Sequence, residues 1–195
     1  MLIPQTDHIR SILRDFELRI RTILEAAWEE WLGIPDRARF SNRSRASMVF
    51  DFIKRRAIAE FDGDPNIRVF IKGQTVQFLF RDAVLVRFKK AGRSGLGSNI
   101  ETQAVLEFVD PQLNIPDLLP EVYRVEICYH LNPLATQMDE LAVTARVRNR
   151  KLWSYELERL ETGKIIPLPT SPVPPDLSPT DVRPRQPKPE SETPE

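Results

Sequence analysis

The chain is short of several things at once. It has one cysteine, two histidines and seven glycines in 195 residues, no run of about 18 apolar residues, and no net charge, with 28 Lys plus Arg against 28 Asp plus Glu. One cysteine excludes a disulfide framework and a cysteine-based zinc site. Without a long apolar run no membrane-spanning helix is expected. A neutral chain is not a general polyanion binder, although charge can still be patterned locally. Residues 1–3 are too short for an apolar signal core, and Pro4, Asp7 and Arg10 follow at once. With the lone cysteine, this leads to the expectation of a cytoplasmic protein.

Proline, by contrast, is plentiful: 17 residues, ten of them between Pro167 and Pro194. The same stretch offers only Leu168, Val173, Leu177 and Val182 as apolar side chains. That is too little burial to offset the entropy of ordering, so residues 163–195 read as a disordered tail of polyproline character. Its Pro172-Val173-Pro174-Pro175 repeat would suit a proline-binding groove. Residues 1–162 read as a single domain. Neutrality is an average over unlike parts, since from Glu156 onward there are eight acids against five bases. The body is therefore mildly basic.

The body begins with helical spacing. Ile9, Ile12, Leu13, Phe16, Ile20, Ile23, Leu24, Ala27 and Trp31 predict a helix over 7–32, capped by Thr6 or Asp7 and stopped by Gly33 and Pro35. Its opposite face carries Arg10, Arg14, Glu17, Arg21 and Glu25, with Glu17 and Arg21 spaced to pair. The 4-3-4-3-4 spacing within residues 9–31 suits a coiled-coil homodimer seam, and the wider stripe suits packing on a sheet. A second helix is expected over 44–61, with a basic approach and polar face: Arg37, Arg39, Arg43, Arg45, Lys54, Arg55 and Arg56. Asp62-Gly63-Asp64-Pro65 ends it.

The period then changes to two, predicting strands over 67–72, 75–81 and 84–90, with turns at Gly73-Gln74 and Asp82-Ala83. Ser98-Asn99-Ile100-Glu101 is a capping-box pattern opening a short helix to about residue 109. Strands over 121–131, 140–149 and 151–159 complete the body. The fold class is α+β: two N-terminal helices, then two runs of three antiparallel strands separated by a short helix.

Chemistry-bearing patterns are sparse. Cys128 and His130 share one strand face, but His8 lies far away in sequence, so no metal is expected. No Gly-x-Ser-x-Gly elbow occurs. Residues 92–97 are glycine-rich between a strand and a helix, yet lack the Gly-Lys-Ser/Thr ending of a phosphate loop. A metal nuclease would set an acid before one strand and acid-x-Lys on the next. Asp82 could serve as the first, but the second reads Arg87-Phe88-Lys89, and Glu121 and Glu126 do not restore the spacing. Catalytic residues and cofactors are accordingly expected to be none. The strongest polar set is basic. Arg87 and Lys89 share a face, Lys90 and Arg93 extend it, and Asn99, Thr102 and Gln103 open the next helix. Arg146, Arg148 and Arg150 alternate further on. Arg87, Lys89, Lys90, Asn99, Thr102 and Gln103 are thus the candidate contacts for an anion, a nucleic acid or a protein partner. A solvated sheet face paired with Glu156 and Glu158 accounts for the cations equally well, and Asn99 can simply cap its helix.

Between residues 84 and 157 the motifs form a set: Val86-Arg87-Phe88-Lys89-Lys90, Ser98-Asn99-Ile100-Glu101-Thr102-Gln103, Ile115-Pro116-Asp117-Leu118-Leu119-Pro120, the Tyr123–Leu131 strand and Trp153-Ser154-Tyr155. The set resembles an uncharacterised family of small bacterial and prophage proteins, over about half the body. That resemblance implies a gene beside a zinc peptidase of the ImmA/IrrE type, in a toxin–antitoxin or phage-defence context. The chain lacks a His-Glu-x-x-His motif, so it would be the companion and not the peptidase. The resemblance implies a non-enzymatic, antitoxin-like partner. The basic residues support an alternative, a nucleic-acid-binding toxin or effector.

Overall fold

The computed structural model describes residues 4–92, 94–97, 108–109 and 122–158. The expected tail at 163–195 lies outside them. So does the helix expected from Ser98, except for Phe108 and Val109, which are helical.

Helix α1 (Thr6–Leu32) and helix α2 (Asn42–Phe61) are joined through a single 3-10 turn at Arg37–Arg39. Six strands follow: β1 (Ile67–Lys72), β2 (Thr75–Phe80), β3 (Val84–Lys90), β4 (Tyr123–Leu131), β5 (Met138–Val147) and β6 (Arg150–Glu156). They form one sheet in the order β1-β2-β3-β4-β5-β6. The α+β class and the element order hold. Each expected run of three is antiparallel within itself, and the two runs join through β3 and β4, which pair in parallel. The 32 residues between them satisfy the need of a parallel pair for a long crossover connection. Period-two alternation carries no information on strand direction, so the two expected triplets merge into one mixed sheet.

Both helices cover one sheet face. Phe78 and Phe80 of β2, Val86 and Phe88 of β3, Val125, Ile127 and Tyr129 of β4, and Leu141, Val143 and Ala145 of β5 share a core with the apolar stripes of α1 and α2. Phe61, at the end of α2, meets Phe78 and Phe80 edge-on at 5.4 Å each. Ile9, Leu13, Phe16, Ile20, Ile23 and Ala27 are at most 5% exposed. The spacing that suits a homodimer seam is therefore consumed by the protein's own core.

The helix caps differ in chemistry. Ser41 caps α2 by accepting from the Ser44 N–H at 3.1 Å. Gln5 precedes α1 without a side-chain cap, so neither Thr6 nor Asp7 plays the expected part. The β2–β3 connection is three residues, with Arg81 and Asp82 both at positive φ.

The polar face expected of α1 is partly interior. Glu17 is 1% and Arg21 8% exposed. They do not pair with each other. Glu17 accepts from the Glu158 N–H at 3.1 Å, while Arg21 donates to the Leu157 and Glu158 carbonyls at 2.6 Å each. This pair of side chains fastens the chain leaving β6 onto α1, a long-range role that helical spacing alone cannot reveal.

Candidate functional site

The sheet face away from the helices gathers the charges. The parallel register sets Arg87 opposite Glu126 and Lys89 opposite Cys128. The antiparallel register of β4 and β5 sets Glu126 opposite Thr144. A register shift at Ala145/Arg146 accompanies the approach of Arg146 to the same carboxylate.

Glu126 is fully buried and Arg87 is 4% exposed. Arg87 donates to Glu126 Oε1 through Nε at 3.1 Å and Nη2 at 2.5 Å. The other carboxylate oxygen accepts from the Gly97 N–H at 3.3 Å and lies 3.6 Å from Arg146 Nη1. Arg146 also donates to the Gly97 carbonyl at 3.3 Å, the Arg148 carbonyl at 2.6 Å and Asn149 Oδ1 at 3.0 Å. The Phe108 ring closes over the Arg87 guanidinium at 4.0 Å. One carboxylate thus balances two guanidiniums, and the strand-to-loop segment ending at Gly97 is drawn onto the sheet. Only glycine fits there, since a Cβ at Gly97 would stand 2.7 Å from Lys89 Cβ and 2.8 Å from Glu126 Oε2.

The expected basic face is accordingly reorganised. Arg87 is a buried ion-pair member, not a free surface cation. Lys89 is half-buried beside the triad. Burial first, and the Arg87 charge second, pull its ammonium down to about 8. Lys90 belongs to the opposite face: it pairs with Tyr129 in register and lies near Arg45 of α2. Arg146, Arg148 and Arg150 do not share one strand, because a two-residue turn at Arg148-Asn149 separates β5 from β6. Asn99, Thr102 and Gln103 lie outside the described residues, as does Arg93.

Lys89 makes stability depend on pH in a definite sense. Its folded value lies below the ordinary 10.5, so between about pH 8 and 10.5 the unfolded chain binds more protons than the folded one. The penalty of a buried ammonium is fully present below pH 8 and relaxes as pH rises through that window. Lys89→Met is therefore expected to raise the melting temperature at pH 7. Its advantage should shrink by pH 10. Thermal melts of both proteins across this range check it, and a constant difference would contradict it.

Of the residues weighed for a metal or nuclease site, Glu121 lies outside the described residues. Among the described residues no cluster of three His, Cys, Asp or Glu side chains could hold an ion. Asp82 is exposed and paired with Arg68 at 2.7 Å, and Glu126 is saturated by cations. Cys128 is fully buried; desolvation pushes its thiol up to about 12, which leaves it protonated and inert. His130 instead lines a polar groove of about 260 Å³ with Ser94, Glu140, Thr144, Lys151 and Ser154.

A second surface feature lies on the helices. Leu18, Thr22, Ile23 and Ala26 of α1 and Ala59 of α2 line a mainly apolar groove of about 430 Å³, flanked by Arg19, Arg56 and Glu60. Ion pairs brace its walls: Arg19 with Glu60 and Asp64 at 2.7 Å each, and Arg56 with Glu30 at 2.9 Å. Leu18 is 44% exposed.

Fold and site together define an α+β protein with a mixed six-stranded sheet, held on one face by two helices and on the other by a buried Arg–Glu–Arg triad. No family model matches the chain, and no curated protein or solved structure matches it either. Among the described residues, no helix is long and apolar enough to cross a membrane.

Proposed function

We propose that the protein is a non-enzymatic binding subunit, an antitoxin-like or regulatory partner in a bacterial toxin–antitoxin or phage-defence module. The motif set of residues 84–157 supplies the context, and its candidate partner is the neighbouring ImmA/IrrE-type peptidase. The observation that carries the reading is the apolar groove between α1 and α2. Thr22, Ala26 and Ala59 keep its floor shallow, and Leu18 offers exposed apolar surface, a shape that receives one face of an amphipathic helix. The triad supports the same reading from the other side. Its carboxylate is occupied by guanidiniums and a backbone N–H, as in an element that holds the sheet and loop together.

Co-expression and pull-down with the neighbouring peptidase test this. The wild type is expected to co-purify with it and to leave growth unharmed when expressed alone. Ala26→Arg and Ala59→Arg fill the groove from positions outside the core, so both should lose the complex by at least tenfold in affinity while melting like the wild type. A partner that binds the filled-groove variants normally, or toxicity of the chain alone, would overturn the reading.

A further inference from the structure

Arg87 and Arg146 on the sheet face share Glu126, and Arg19, Arg55 and Arg56 on the helices pair with acids, but the arginines of the α1–α2 connection meet little opposite charge. From Gly33 to Met48 the chain holds Arg37, Arg39, Arg43 and Arg45 against a single acid, Asp36. Arg39 and Asp36 stand 3.8 Å apart with side chains 83% and 74% exposed, a pair that water screens almost entirely. Arg37 donates to the Leu32 carbonyl at 2.8 Å, which orients the guanidinium without neutralising it. Arg43 is exposed and has no ion pair among the described residues. Arg45 donates to Asn42 Oδ1 at 3.0 Å, while its Nε is buried with no partner. Lys90 arrives beside it from the end of β3, and burial together with the Arg45 charge holds that ammonium below the usual lysine range. Among the described residues no acid pairs with either of these two cations, an arrangement that an incoming anion relieves.

The patch also carries an aromatic ring. Phe40 is 43% exposed in the middle of the arginines, and Trp31 supports it edge-on at 5.9 Å. Cations alone would suit any polyanion. Cations around a supported, solvent-facing ring suit a strand whose phosphates are spaced along a backbone and whose bases have free faces to stack. We propose that the α1–α2 connection, the first turn of α2 and Lys90 form a binding surface for single-stranded nucleic acid, with Arg37, Arg39, Arg43 and Arg45 on the phosphates and Phe40 against a base. This surface sits at the opposite end of α2 from the apolar groove, so it stands or falls independently of the partner reading.

Fluorescence polarisation of the full chain with a labelled oligothymidylate of about a dozen nucleotides tests it. Binding in the micromolar range is expected at about 50 mM salt, weakening with a log–log slope near −3 for roughly four phosphate contacts. Arg39→Glu and Arg43→Glu alter exposed side chains and should each weaken binding about tenfold or more without shifting the melting temperature. Phe40→Ser should weaken it about fivefold while leaving the salt slope unchanged. Lys72→Glu, an exposed cation on β1, should have no effect. Absence of binding at low salt would overturn the proposal, as would charge-reversal variants that bind like the wild type. Displacement of the oligonucleotide by polyglutamate at equal charge concentration, with Phe40→Ser indistinguishable from wild type, would assign the patch to acidic polypeptides and overturn it too.

Discussion

Glu126→Ala is expected to cost about 3–5 kcal/mol of folding stability, the usual penalty for stranding a buried charge. The residue is fully buried, and its removal leaves Arg87, itself 4% exposed, with a guanidinium that reaches no other carboxylate among the described residues. It also releases the Gly97 N–H and the nearer contact of Arg146. In a domain of this size the loss amounts to about 10 °C in melting temperature. The informative comparison is a triple replacement, Arg87→Met with Glu126→Leu and Arg146→Met. It removes every charge of the triad at similar volume, and such replacements are commonly neutral or stabilising by about 1–4 kcal/mol. Urea midpoints with unchanged slopes measure both. If Glu126→Ala melts like the wild type, the triad is not what holds this face. If the triple variant is as damaged as the single one, the charges contribute more than their mutual balance.

The second large effect is expected at Phe61, where truncation to alanine should cost about 3–5 kcal/mol. The ring is fully buried at the end of α2, edge-on to Phe78 and Phe80, and 5.2 Å beneath the Arg19 guanidinium. Its loss opens a cavity among side chains already fixed on a sheet, which collapse poorly into it. Phe61→Leu keeps most of the volume and should recover more than half of the loss in chemical denaturation. Because Arg19 also binds Glu60 and Asp64 around the same turn, hydrogen exchange should show α2 loosening before the sheet. Uniform loosening of both would place Phe61 in a core that opens only as a whole.

The helices and strands were legible in the chain because their signals are local. α1 spans Thr6–Leu32 against an expected 7–32, and β1 and β3 match their expected bounds of 67–72 and 84–90. The candidate site was legible only in part. Arg87 and Lys89 share a face, as alternation requires, yet their environment comes from β4. Glu126 is 39 residues from Arg87 in sequence, and it meets Arg87 only because β3 and β4 pair in parallel at that register. For Lys90 alternation gives the face, and only the neighbour it meets there comes from the tertiary structure. One residue beyond Lys89, it faces the helices and joins Arg45.

What the amino-acid sequence determined by itself was therefore the set of elements, the faces of each, and the presence of concentrated positive charge in a chain of zero net charge. Those properties follow from residue spacing within ten or so neighbours. What the tertiary structure decided was the direction of β4 beside β3, the burial of Glu17, Arg21, Arg87 and Glu126, and which arginines are neutralised and which are left open. These follow from contacts between residues far apart in the chain, where an ion pair's worth depends on the partner and the water around it and not on the residue's own position. Neutrality of the whole conceals that division: Arg87 and Arg146 share a buried carboxylate, and Arg37, Arg39 and Arg43 of the α1–α2 region keep their charge at the surface.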